Sequence, residues 1–192
     1  APLALDAATQ EELTRQINDG MSMIQHGRHQ EAAELYDKIL ADFPNHLGAL
    51  RGRMMASNAL KDAEGASKFA QTLGAELARQ EAFDPLWDVY QQQQALDKNF
   101  LLRTRDQIAL SRWLVSENKP LDAARVLREV GVGKPDDPLA PKALYQCAEL
   151  LWKSCAKPDV AKQMFEYILK RYPQSAFGDQ VRAALAAIAI GK

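Results

Sequence analysis

The side chains best suited to chemistry in this chain are few and scattered. It has three histidines, His26, His29 and His46. His26 and His29 flank the Gly27–Arg28 segment, and His46 follows Pro44 closely. A metal site needs more ligands than these supply, and partners behind each ligand, so the three read as surface residues of turns. Cys147 and Cys155 stand eight residues apart in a stretch of helical period. On one helix that separation is ~12 Å, beyond the ~7 Å a disulfide spans. Both are expected to be free, buried thiols acting as small apolar residues, which is compatible with a reducing compartment. The sequence has no CxxC, no HExxH, no GxxxxGK[ST] and no GxSxG, the patterns that would bring metal, phosphate or a nucleophile into place. Carboxylates are plentiful, but no two are set apart as an acid and a base. The chain is expected not to be an enzyme and to hold no metal and no cofactor.

Bulk properties narrow the partners. Lys and Arg number 24 against 25 Asp and Glu, a formal charge of −1, so there is no bulk electrostatic case for nucleic acid or an anionic membrane. The longest uninterrupted apolar run, Ala183 to Ile190, is far shorter than the ~20 residues a membrane span requires, so no direct membrane insertion is expected. The start at Ala1 without methionine points to an upstream segment having been removed, with a signal or membrane anchor among the options. The compartment stays open between cytoplasm and periplasm.

Any surface these residues form must be carried by helices. The clearest pattern runs from Lys142 to Pro173. Apolar residues recur at Leu144, Ala148, Leu151, Trp152 and Cys155, then at Ala161, Met164, Phe165, Ile168, Leu169 and Tyr172. Both sets follow a helical period. Lys157, Pro158 and Asp159 break and restart the chain, with proline suited to a first helical turn. Pro173 ends the second helix. Two such helices pack antiparallel, and one pair cannot bury both stripes alone. This hairpin resembles a tetratricopeptide repeat, with Tyr145 and Trp152 at the first-helix aromatic places. Ala161 takes the tight contact, Phe165 the following aromatic place, Leu169 the late anchor and Pro173 the terminal proline.

The same signature returns over 13–46, in Gly20, Gly27, Ala32, Tyr36, Leu40 and Pro44. A degenerate copy spans 47–80, with Leu50, Met54 and Ala66 in character and Ala70 where an aromatic is expected. Another copy runs over 104–137, with Leu110, Ser111, Leu114, Ala123 and Leu127 at signature places and a turn at Asn118 to Pro120. Between them, Asp84 and Pro85 open an extra packing helix near 84–97. Residues 131–141 read as the longest loop, 175–190 as a C-terminal capping helix, and 1–7 as a frayed start. The resemblance implies one all-α domain over 1–192, a right-handed superhelix of nine or ten helices in antiparallel pairs.

It also implies where binding would occur, since in such arrays the first helix of each pair lines the concave wall. Projecting the registers puts Ile17, Met21 and Ile24 on that wall, then Arg51, Met55 and Asn58. Arg105, Ile108 and Arg112 follow, then Gln146, Leu150 and Lys153. Family members that hold a C-terminal carboxylate use lysine and asparagine where this chain has Ile17 and Met21, so that activity is not carried over. The implied function is a non-catalytic adaptor that binds an acidic, partly apolar segment of a partner protein. One rival is a self-assembling scaffold, a homodimer joined through Ala183–Ile190. Another is a soluble regulatory domain of a larger bacterial membrane protein, since the YPQSAFGDQ stretch at 172–180 looks like the end of repeats in bacterial envelope assemblies.

Overall fold

The structure is a computed structural model that describes residues 6–191. Of the frayed start expected over 1–7, residues 1–5 lie outside the described residues. Asp6 caps the first helix by accepting the Thr9 backbone N–H at 2.8 Å, which satisfies one of the orphan donors of a helix start. Ten helices follow. They are α1 Ala7–Gln25, α2 His29–Asp42, α3 Leu47–Ala59, α4 Ala63–Arg79, α5 Phe83–Leu96, α6 Thr104–Ser116, α7 Pro120–Gly133, α8 Ala140–Lys153, α9 Pro158–Arg171 and α10 Gly178–Ala189. No strand occurs among the described residues.

The chain divides into two compact units, one ending at Phe100 and the other starting at Leu101. In the first, the hairpins α1–α2 and α3–α4 pack on each other and α5 packs on α4. In the second, α6–α7 packs on α8–α9, with α10 against α9.

The turns within these hairpins, and the one from α4 to α5, share a physical device. One residue enters the left-handed region: Gly27 (φ 77°), Lys61 (59°), Glu81 (56°), Asn118 (58°) or Ala156 (51°). The N–H of the next residue then reaches back across the helix end, Arg28 to the Met23 carbonyl (2.8 Å), Asp62 to Ser57 (2.9 Å), Ala82 to Leu77 (2.9 Å) and Lys119 to Leu114 (2.8 Å). This satisfies carbonyls that a helix terminus otherwise leaves open. Glycine alone takes this conformation without steric cost, and of these five turns it occupies the position only at Gly27.

The turn at Ala156 is one residue longer, with the Lys157 N–H reaching Leu151 at 2.8 Å. That extra residue corrects one expectation. Cys155 does not share a helix with Cys147, because α8 ends at Lys153 and the Ser154 and Cys155 N–H groups both turn back to the Leu150 carbonyl. Cys147 is buried and burial pushes its thiol up to about 12, whereas Cys155 is only partly covered. Both are free.

Two other boundaries differ from the sequence reading. Asp84 does not open α5 as its cap, a place taken by Ala82. The Glu81–Ala82 turn sets the entry, so the helix starts at Phe83 and Asp84 lies inside its first turn. The loop expected over 131–141 shrinks, because α7 continues through Gly133 and α8 begins at Ala140. What remains is tied down. The Thr104 hydroxyl donates to Asp137, the Leu139 N–H donates to the same carboxylate at 2.8 Å, and the Tyr172 hydroxyl donates to the Pro135 carbonyl at 2.8 Å.

The second unit has a continuous core of Leu127, Val130, Leu144, Ala148, Ala161, Phe165, Ile168 and Val181. Ala161 is fully buried there. Ala161→Leu is expected to overpack this core and cost ~1–3 kcal/mol. A melting temperature unchanged by that substitution would show that α8 and α9 are not in close contact at this point.

Candidate functional site

The wall residues projected from the sequence separate by unit. In the first, Arg51, Met55 and Asn58 follow one another along α3 and are each half-buried. Asn58 lines a recess of about 250 Å³ together with Lys61, Ser67, Gln93, Leu96 and Phe100. Gln93 is 3% exposed, and its amide nitrogen has no hydrogen-bond partner among the described residues. Ile17 and Ile24 do not form an open wall. Both pack against the core of α1, α2 and α3, because Gly48 on α3 leaves room for the Ile17 side chain. Met21 is half-buried beside them.

In the second unit, α6 and α8 place four of the projected residues around one groove: Arg112 from α6, and Gln146, Leu150 and Lys153 from α8. Ser111, Val115, Glu149 and Ser154 complete its walls and Leu127 of α7 its floor, around a volume of about 280 Å³. Arg105 lies on the same helix as Arg112 and is exposed, but does not line the groove. Ile108 is not available to a ligand. It is 4% exposed within the core formed with α7 and α8. Its apolar side chain turns toward the neighbouring pair, as apolar burial dictates. Val115 was missed by the projection, although it continues the Arg112 face at helical spacing and is 43% exposed.

The groove has a definite charge arrangement. Lys153 donates to Glu149 at 2.6 Å, a pair one helical turn apart, and that hydrogen bond raises the lysine pKa above its ordinary value. Glu149 is thereby engaged, while Arg112 makes no ion pair among the described residues. The Gln146 side-chain oxygen is buried with no hydrogen-bond partner. The groove therefore presents one unpaired cation and the apolar surface of Val115 and Leu150, with Leu127 beneath them. These are groups that bind and orient.

The residues singled out for chemistry serve structure. His46 caps α3, its ring nitrogen accepting the Ala49 N–H at 3.3 Å, and the His26 ring bonds the Ser22 carbonyl at 2.7 Å. Among the described residues no group of three or more His, Cys, Asp or Glu is placed to hold a metal. No helix of the described residues is long and apolar enough to cross a membrane.

The repeat geometry can now be matched to known families. A family model for the tetratricopeptide repeat matches residues 20–46, from the last third of α1 to the turn after α2. The chain carries a tetratricopeptide repeat. The other hairpins are tetratricopeptide-like in their build, with a small residue, Ala66, Ala123 or Ala161, fully or almost fully buried in the second helix. Tetratricopeptide repeats are, in general, non-catalytic modules of protein–protein interaction. Solved structures similar to this chain include YrrB, described as a TPR protein with an unusual peptide-binding site. It is 16% identical, with 94% of this chain and 100% of that one covered and a TM-score of 0.44. PilF of Pseudomonas aeruginosa is 16% identical, with 95% and 90% covered and a TM-score of 0.42. No curated protein matches.

Proposed function

We propose that this chain is an adaptor that binds a segment of a partner protein in the groove between α6 and α8. The observation that carries this reading is the convergence of Arg112, Gln146, Leu150 and Lys153 from two repeat pairs around one recess. Each group has a task in peptide capture. Arg112 attracts a carboxylate, the half-buried Gln146 shapes the wall, and Leu150 and Val115, backed by Leu127, cover an apolar side chain. The ligand is an acidic, partly apolar peptide. Its affinity is modest and falls with salt, since exposed charges act mainly on encounter and are screened.

The test is a pull-down from source lysate comparing the native chain with the double variant Arg105→Glu, Arg112→Glu. Both positions are exposed, so the fold should survive. Partners that bind the groove are expected to be lost from the variant. If every partner of the native chain is still captured, the α6–α8 groove is not the site. The scaffold reading is favoured by a different observation, the exposure of Ile190 (68%) at the end of α10. A stable dimer in sedimentation without ligand would support it.

A further inference from the structure

The second unit has another groove on the opposite side of its helix pairs. It lies between α7 and α9, the second helices of the two hairpins, and encloses about 650 Å³. Cys147 and Leu151 of α8 form its floor. Its walls carry Leu121 and Val132 from α7, and Val160 and Tyr167 from α9. These side chains are 54%, 49%, 46% and 38% exposed. A single exposed apolar side chain on a surface is ordinary, but several gathered in one recess mark a binding surface. The second-helix side of a repeat pair would otherwise be expected to carry a polar, solvated face.

The spacing suits one shape of guest. Leu121, Ala124, Arg128 and Val132 recur in steps of three or four along α7, and Val160, Met164 and Tyr167 do so along α9. From Leu121 to Val132 the wall is ~16 Å long, about three helical turns. A helix laid in such a trough presents apolar anchors at matching intervals.

The charges select among such helices. Arg125, Arg128 and Lys157 border the groove, and no carboxylate lines it. Arg125 is engaged with Asp122 at 3.2 Å and Glu129 at 3.5 Å. Arg128 and Lys157 make no ion pair among the described residues, although ion pairs of surface arginines are frequent elsewhere in the chain. A low-dielectric recess rimmed by open cations focuses a positive potential. We infer that the α7–α9 groove seats an amphipathic helix of a partner protein whose apolar stripe is flanked by Asp or Glu. This seat is independent of the α6–α8 groove, so one unit can hold two segments at once.

The inference is tested by selecting a random library of displayed peptides, each of about 16 residues or four helical turns, on the native chain and on Val160→Glu. Val160 is exposed, so the variant should fold, and an unchanged melting temperature checks that. Peptides recovered on the native chain are expected to carry apolar residues at helical spacing with flanking carboxylates. They should bind Val160→Glu about tenfold more weakly or worse, and Arg112→Glu as well as the native chain. In Arg128→Glu the preference is expected to move toward peptides with Lys or Arg flanks, a change that mere loss of structure would not produce. The inference is overturned if nothing is enriched over Val160→Glu, or if the enriched peptides are basic on the native chain. It also fails if their binding depends on Arg112 rather than Val160, or if Val160→Glu dissociates a native dimer, since the groove is then filled by a second copy.

Discussion

Tyr36→Ala is expected to unfold the first tetratricopeptide repeat. The Tyr36 side chain is fully buried, and its hydroxyl donates to the Ile17 carbonyl at 3.0 Å. The ring lies in a slot made by two glycines on different helices. A Cβ added at Gly20 of α1 would stand 2.5 Å from Tyr36 Cζ, and one added at Gly52 of α3 would stand closer still. The ring thus joins α1, α2 and α3. Removing a buried aromatic costs ~3–5 kcal/mol, a large part of the ~5–15 kcal/mol that holds a domain folded.

The slot makes a second, sharper expectation. Gly→Ala inside an exposed helix usually stabilises by up to ~1 kcal/mol. Gly52→Ala should destabilise instead, because the new methyl meets the ring. Urea unfolding of Gly52→Ala decides this, and a stabilised variant would mean the ring is not held against α3.

The same burial sets a pH dependence, since it pushes the Tyr36 phenol up from 10.0 to about 12. The folded value lies above the unfolded one, so the neutral form is favoured by folding. This contribution is fully present below pH ~10 and is lost as pH rises through about 12. Stability of the first unit should fall over that window. Tyr36→Phe should remove that component of the fall, at a cost near ~1 kcal/mol for the lost hydrogen bond. Melts between pH 9 and 12 of the two proteins compare the slopes.

Truncation after Phe177, which removes α10, is the second change expected to be large. Val181 is fully buried and Ala184 nearly so, and Leu185 and Ile188 pack against the same core. Each large apolar side chain contributes ~1.5–3 kcal/mol when buried, so loss of the helix should cost several kcal/mol and leave the α9 face open to water. The truncated chain is expected to melt early or to aggregate. Circular dichroism melts and light scattering measure both. If the truncated chain keeps its melting temperature while a native dimer falls apart, α10 is an interface and the scaffold reading gains. The apolar run from Ala183 to Ile190 is covered in part. One face of α10 is buried, and the exposed positions within the helix at Ala183, Ala186 and Ala189 carry only a methyl group, with Ile190 the large exception.

Helix identity was legible in the sequence because it depends on local terms. The recurrence of apolar residues near every 3.6 positions, the prolines at 120 and 158 that begin helices, and Gly27 in a left-handed turn are all readable within a few residues. So was the choice of small residues at Gly20 and Ala161, since a repeat signature is a record of which positions come close. The projected wall also included Arg112, which makes no ion pair among the described residues. Helix ends were less legible. Lys61, Glu81 and Ala156 adopt a conformation that their side chains disfavour, so no residue type announces the left-handed position there as Gly27 and Asn118 do.

What only the tertiary structure decided is which side of each helix meets solvent. Ile17 and Ile108 satisfied the helical projection of a binding wall, yet each is claimed by a neighbouring helix, since apolar burial does not respect a projected face. The α7–α9 groove depended even more on packing. Leu121, Val132, Val160 and Tyr167 look like ordinary helical residues in the sequence, and their periodicity is compatible with either a core or a surface. Their exposure arises because α8 fills the space beneath α7 and α9 without closing the gap between them. Local sequence sets a helix and its stripes. Only the third body packed against it determines which stripe is left uncovered.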